Sequence, residues 1–237
     1  MKSADVLGQA LKDFYHQKPF ENLTVISDIT DEDVIPLAYL FRNHHEMPLI
    51  EQQALEWCKG NVLDVGAASG CHSLYLQENG VQVTAIDVSD GAVEVMKNRG
   101  VVHAKLQDFF TLQNERFDTI LLLMNGVGIA QNLQKMPEFL TQCKQLLAPG
   151  GQVLLDSSDI QYLFEEEDGS MWINTQKAYY GEVSYQLKYK TTVGEPFDWI
   201  FLDFDTLAKE AEKVGLIATK VMEGEHFDYL ARLCIEG

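Results

Sequence analysis

Apolar positions near the start of the chain follow a helical rhythm. Val6, Leu7, Ala10, Leu11 and Phe14 fall on one face of a helix over roughly residues 3–16. A polar stretch with Pro19 and an acidic run, Asp28-Ile29-Thr30-Asp31-Glu32-Asp33, follows. Helical patterns return at 34–42 and 48–58; Pro48 suits a first helical turn and Lys59-Gly60 stops the second helix. From residue 61 the period changes. Short apolar runs at 62–65, 81–86, 101–106, 117–124 and 152–155 alternate with helical stretches at 70–79, 89–99 and 133–147. Gly80 closes the first of these helices, Ser89 and Gly100 bracket the second, and Pro149-Gly150-Gly151 ends the third. Strand–helix alternation with short connections predicts an α/β, doubly wound, mostly parallel sheet with helices on both faces.

Beyond residue 157 the pattern changes again. Two β-rich runs, YYGEVSYQLKYKT and FDWIFLD, surround Gly194-Glu195-Pro196, which predicts a β-hairpin. A helix at 205–214, stopped by Gly215, precedes two strands at 216–222 and 227–235. The chain therefore divides, within a single domain over 1–237, into an N-terminal helical cap (1–58), a core (59–156), an insertion (157–204) and a closing helix with two strands (205–237).

Composition narrows the function. Thirty-six acids face 18 Lys and Arg, a formal net charge of −18, and there is no basic stripe, so a nucleic-acid partner is not expected. No run approaches the ~18 apolar residues of a membrane span, and residues 1–17 lack a signal-peptide core, which predicts a cytoplasmic protein without membrane attachment. Cys58, Cys71, Cys143 and Cys234 include no C-x-x-C pair, so four reduced thiols and no metal site are expected.

Candidate chemistry gathers at strand ends. In an open parallel sheet, ligands bind beyond the carboxyl ends of the strands. The first five strands of the core end, or nearly end, in Asp64, Asp87, Asp108, Asn125 and Asp156, polar groups that core packing has no use for. The loop after Asp64 reads Val65-Gly66-Ala67-Ala68-Ser69-Gly70. A dinucleotide fingerprint begun at Gly66 would need glycine where Ala68 and Cys71 stand, which disfavours a nicotinamide-dependent oxidoreductase. Asp87 lies 21 residues after Gly66, where its carboxylate can accept from two vicinal ribose hydroxyls.

This loop, with Asp87, Asp108-Phe109, Phe117-Asp118 and Leu147-Ala148-Pro149-Gly150-Gly151, resembles the class I S-adenosylmethionine-dependent methyltransferases over about residues 50–160. Ala68 replaces the middle glycine of the family's loop. The resemblance implies a seven-stranded sheet with one antiparallel strand near its edge, and S-adenosyl-L-methionine as cofactor. It further implies a cofactor site built from Asp64, Gly66, Ala67, Gly70, Asp87, Val88, Asp108, Phe109 and Asn125. Asp87 would take the ribose, Asp108 the adenine amino group, and Val88 with Phe109 or Phe110 the faces of the ring.

Methyl transfer from a sulfonium needs alignment more than a general base, so the sequence identifies no catalytic residue outright. Asn125 and Asp156 are the candidates on the acceptor side. Asn125 lacks the Pro-Pro-aromatic continuation that resemblance would require for nucleobase or glutamine amides. Asp159 and His72 are open to capping or packing roles. His44-His45-Glu46 is not expected to bind metal, because adjacent histidines point apart. The acceptor gate is expected from residues 34–58 (Tyr39, Phe41, Arg42, Met47, Glu51) and from 157–204 (Trp172, Tyr179, Tyr180, Trp199). A small-molecule acceptor, methylated on nitrogen or oxygen, is the leading expectation. A catalytically silent S-adenosylmethionine-binding module is the alternative.

Overall fold

A computed structural model of the chain describes residues 4–164, 179–225 and 227–236. Twelve strands are found among them: β1 (Leu23–Ser27), β2 (Asp33–Ile35), β3 (Asn61–Val65), β4 (Gln82–Asp87), β5 (Ala104–Leu106), β6 (Phe117–Leu122), β7 (Leu147–Ser158), β8 (Glu182–Tyr189), β9 (Thr192–Val193), β10 (Phe197–Ile200), β11 (Leu216–Glu223) and β12 (Asp228–Ile235). The helices are α1 (Val6–Tyr15), α2 (Leu49–Trp57), α3 (Cys71–Glu78), α4 (Asp90–Arg99), α5 (Met136–Leu146) and α6 (Phe204–Lys213), with short 3-10 turns between some elements.

Seven strands form the central sheet in the order β11-β12-β7-β6-β3-β4-β5. Strands β3 to β7 run parallel, and β12, second from the edge, is antiparallel to both neighbours. The order reverses between β3 and β6, which opens the crevice that such sheets use for ligands. One face carries α5 and α6, whose Phe139, Leu140, Cys143, Leu207 and Ala211 pack on Leu63, Ile120 and Leu155. The other carries α2, α3 and α4, whose Ile50, Ala54 and Leu76 pack on Val62, Val83 and Leu121, with Val93 and Met96 beside Ala85. Helix α1 lies against α4, and the approach needs glycine on both: a Cβ on Gly91 would stand 2.5 Å from Gly8 Cα.

A second sheet, β10-β8-β1-β2 with β9 beside β8, joins the N-terminal region to the insertion. The N-terminal region departs from the helices that its sequence predicts. Residues 34–42 are not one helix: Pro36 biases Ile35 to an extended conformation, so β2 ends there and a 3-10 turn, Leu37–Phe41, follows. The polar stretch before it holds β1, which pairs with β8 from Thr24↔Lys188 to Ser27↔Tyr185. The hairpin is present, but its tight turn lies at Lys190-Thr191, with Lys190 at φ +53°. Gly194-Glu195-Pro196 instead interrupts the returning strand between β9 and β10, where proline has no N–H for the ladder.

The two sheets are stitched together at the carboxyl edge. Asn125 Nδ2 donates to the Ile200 carbonyl at 3.1 Å, and Ser157 Oγ donates to Asn125 Oδ1 at 2.9 Å. The Leu202 N–H donates to Ser157 Oγ at 2.9 Å. The Trp199 ring lies on Gly128, where a Cβ would come within 2.0 Å of the indole. The second sheet is thereby held over the ends of β6 and β7.

Candidate active site

Strand β3 ends at Val65, and Gly66, at φ +71°, turns the chain into the glycine loop. The Gly66 and Ala67 N–H groups both donate to the Ile86 carbonyl, at 2.9 and 3.1 Å, which ties the loop to β4. A Cβ on Gly66 would meet nothing within 4 Å, so its backbone faces open space. Gly70, at φ +84°, packs inward: a Cβ there would stand 2.9 Å from Val101 and 3.0 Å from Met96. Ala68 adopts φ +49°, a conformation that favours glycine. Its N–H donates to Asp87 Oδ2 at 2.9 Å, which offsets part of the strain. Ala68→Gly should accordingly leave cofactor affinity within about three-fold and change stability by about 1 kcal/mol or less, since relieved strain is opposed by a freer unfolded chain. Calorimetry and thermal melts check both.

Asp87 is 7% exposed and accepts from the Ala68 N–H through Oδ2 and from the Ser89 N–H through Oδ1, the latter at 2.8 Å. Burial raises its pKa, against the lowering effect of these amides. A carboxylate has about four lone-pair sites, so both oxygens retain capacity for ribose hydroxyls. Val88, next to it, is 74% exposed, an isolated apolar surface at a strand end. Asp108 is exposed and caps the 3-10 turn Phe109–Thr111 through the Phe110 N–H at 2.8 Å. Phe109 is placed differently from the adenine-facing role considered for it. Its ring is buried in the core beside Phe139 and Phe110, while Phe110 is half-buried.

Asp64 points into the protein. At 2% exposure its carboxylate accepts from Ser73 Oγ at 2.6 Å, and burial pushes its pKa up. Its neighbours form a buried polar cluster that the sequence did not connect. His72 Nε2 and Arg42 Nη2 both meet Glu51 Oε2, the histidine at 2.8 Å. Arg42 Nη1 donates to the Tyr39 carbonyl at 2.6 Å, and its guanidinium lies 4.0 Å from the Tyr39 ring centroid. Burial disfavours the Glu51 charge, but His72 and Arg42 outweigh it and lower its pKa. The segment bearing these residues grips the glycine loop directly: Ser69 Oγ and Cys71 Sγ both donate to the Leu40 carbonyl, the thiol at 2.9 Å. Arg99 Nη1 donates to the Ser69 carbonyl at 2.8 Å.

At the end of β6 two successive non-glycine residues, Met124 (φ +64°) and Asn125 (φ +57°), take the left-handed conformation. The turn is held by Asp156, whose oxygens accept from the Met124 N–H at 3.2 Å and the Gly126 N–H at 3.1 Å. Burial raises the Asp156 pKa to about 7, opposed by the Gly126 amide and reinforced by the Glu51 charge. Asn125, a candidate for acceptor contact, has its amide engaged by Ile200 and Ser157. Met124 is 38% exposed, as is Tyr39. Tyr180 donates to Asp159 Oδ1 at 2.7 Å and Tyr179 to Asp203 Oδ2 at 2.5 Å. Trp172 lies outside the described residues. His44 stacks on Tyr75 at 3.9 Å between centroids, and Glu46 accepts from the Asn43 N–H.

Comparison with known proteins bears on this geometry. A family model described as a methyltransferase domain matches residues 62–151. A crystal structure of an S-adenosylmethionine-dependent methyltransferase from Bacteroides fragilis, in complex with S-adenosyl-L-homocysteine, is 48% identical and covers 100% of both chains, with a TM-score of 0.92. This chain belongs to the class I S-adenosylmethionine-dependent methyltransferases. Similarity to curated relatives is narrower. A Coxiella burnetii ubiquinone biosynthesis O-methyltransferase is 28% identical over 149 residues, 58% of this chain and 61% of that protein. A Streptomyces cypemycin N-terminal methyltransferase is 30% identical over 102 residues, 41% of this chain and 42% of that protein.

The residues present fit the methyltransferase cofactor. Gly66 leaves its backbone open, Asp87 offers free lone pairs, and Val88 an exposed apolar side chain. The cofactor supplies a methyl group already activated on a sulfonium. The protein's own tasks are to bind it, align an acceptor and exclude water.

Proposed function

We propose that the chain transfers the methyl group of S-adenosylmethionine to a nitrogen or oxygen of a small-molecule acceptor. The observation that carries this reading is the second sheet. Through Asn125, Ser157 and Trp199 it is fixed over the ends of β6 and β7, on the side of the crevice left for the acceptor. A roof so placed suits a small molecule better than a polymer, and the net charge of −18 opposes a phosphate backbone. The names of the curated relatives, one an O-methyltransferase and one an N-terminal methyltransferase, support both acceptor atoms.

In this reading Asp87 and Val88 hold the adenosine, Asp108 the adenine edge, and the loop from Gly66 to Gly70 the middle of the cofactor. Tyr39 and Met124, both partly exposed, flank the acceptor. Asp64 and Asn125 act through the scaffold, Asp64 by fixing the start of α3 through Ser73 and Asn125 by fixing the roof. Incubation with S-adenosylmethionine and a panel of small amines and hydroxylated metabolites should yield S-adenosylhomocysteine with one structural group of acceptors. Product formation only with RNA or a folded protein would overturn the proposal.

A further inference from the structure

The buried cluster behind the glycine loop has an uneven charge balance. Its carboxylates are Glu51, Asp64 and Asp156; beside them stand the Arg42 guanidinium and the His72 imidazole. Both of the latter converge on a single oxygen, Glu51 Oε2. Asp64 is satisfied by the Ser73 hydroxyl. Asp156, 8% exposed, is held by two neutral backbone amides, with the Glu51 charge close enough to disfavour its own. The cluster also contains a buried donor, Arg42 Nε, that has no acceptor among the described residues. Of the three carboxylates, Asp156 is the one with neither a cationic nor a hydroxyl partner among the described residues, which leaves a cation as its best complement.

Strand order says which part of the cofactor arrives there. The sheet runs β7-β6-β3-β4-β5, with Asp87 at the end of β4 and Asp108 just beyond β5. With the adenosine anchored at β4 and β5, the remainder of the molecule passes the loop after β3 and extends toward β6 and β7. Asp156 stands at the end of β7. A carboxylate in a poorly solvated position, paired only with amides, interacts far more favourably with a cation than with a neutral group of the same shape.

We propose that Asp156 is the residue that distinguishes a positively charged group from a neutral one at the transfer position, and so favours the sulfonium of the substrate over the thioether of the product. The proposal rests on the cofactor reading above and deepens it. Asp156 would act as an electrostatic selector, and the Met124–Gly126 turn would be the device that holds its carboxylate in place.

The test is isothermal titration of the full chain with three probes: S-adenosylmethionine, S-adenosylhomocysteine, and sinefungin, in which an ammonium-bearing carbon replaces the methylsulfonium. Asp156→Asn keeps the shape and removes the charge, with one oxygen left to accept from one of the two amides. It should shift the affinity ratio of S-adenosylmethionine to S-adenosylhomocysteine by about ten-fold against the cation, with a parallel shift for sinefungin, while S-adenosylhomocysteine itself changes by no more than a few-fold. Asp156→Glu should keep the ratio within about three-fold of the wild type, and Asp156→Ser serves as a second neutral variant if the asparagine form does not fold. Equal losses for all three probes would assign Asp156 a purely structural role and overturn the proposal, as would unchanged ratios in the neutral variants. Failure of the wild type to bind S-adenosylhomocysteine would overturn the cofactor reading instead.

Discussion

Asp87→Ala is expected to weaken S-adenosylhomocysteine binding by about 100-fold or more. Two charge-assisted hydrogen bonds to ribose hydroxyls contribute roughly 1.5–3 kcal/mol each, and about 1.4 kcal/mol corresponds to ten-fold. The structure raises the expectation above that sum. The same carboxylate accepts from the Ala68 N–H, so its loss also frees a loop residue held at φ +49°. Asp87→Asn retains one accepting oxygen and should lose less. Calorimetry measures both, and an unchanged affinity in the alanine variant would remove the ribose role from Asp87.

The second large effect is on stability. The Asp156 pKa, raised by burial to about 7 from an ordinary 3.8, means that the folded protein holds this proton more tightly than the unfolded chain does. The stabilisation is complete below about pH 4 and is lost as pH rises toward 7. Above that, ionised Asp156 costs on the order of 4 kcal/mol. Asp156→Asn removes this cost but leaves one of the two amides without an acceptor, so its Tm relative to the wild type should be at least about 5 °C higher at pH 8 than at pH 4. Thermal melts at the two pH values give the answer; an equal shift at both would show that Asp156 does not titrate in this range. A more stable but less cation-selective variant would illustrate strain kept at a working site.

The central sheet was legible because its signals are local. Apolar runs of strand length, and helices closed by Gly80, Gly100 and Gly215, specify elements without reference to anything distant. Boundaries moved where tertiary contacts decide. Strand β6 stops at Leu122, two residues short of the apolar run, because Met124 and Asn125 turn left-handed around Asp156, 32 residues later in the chain. Strand β1 carries no local signal, because Leu-Thr-Val-Ile-Ser is short and its main partner, β8, is more than 150 residues away. The site divided in the same way. Gly66, Gly70 and Asp87 stand in one motif and were found together. Arg42, Glu51 and His72 stand apart in the sequence, and nothing in their spacing says that one carboxylate oxygen joins them. Phe109 and Asn125 carried the right residue types at the right strand ends. Only packing shows that one ring faces the core and one amide faces the roof.

The central claim is methyl transfer to a small molecule. Its most direct test gives the full chain methyl-labelled S-adenosylmethionine with a cell extract separated into small-molecule, nucleic-acid and protein fractions. The label is predicted to enter the small-molecule fraction, with stoichiometric release of S-adenosylhomocysteine. Label incorporated into the nucleic-acid or protein fraction, with none in small molecules, would contradict it.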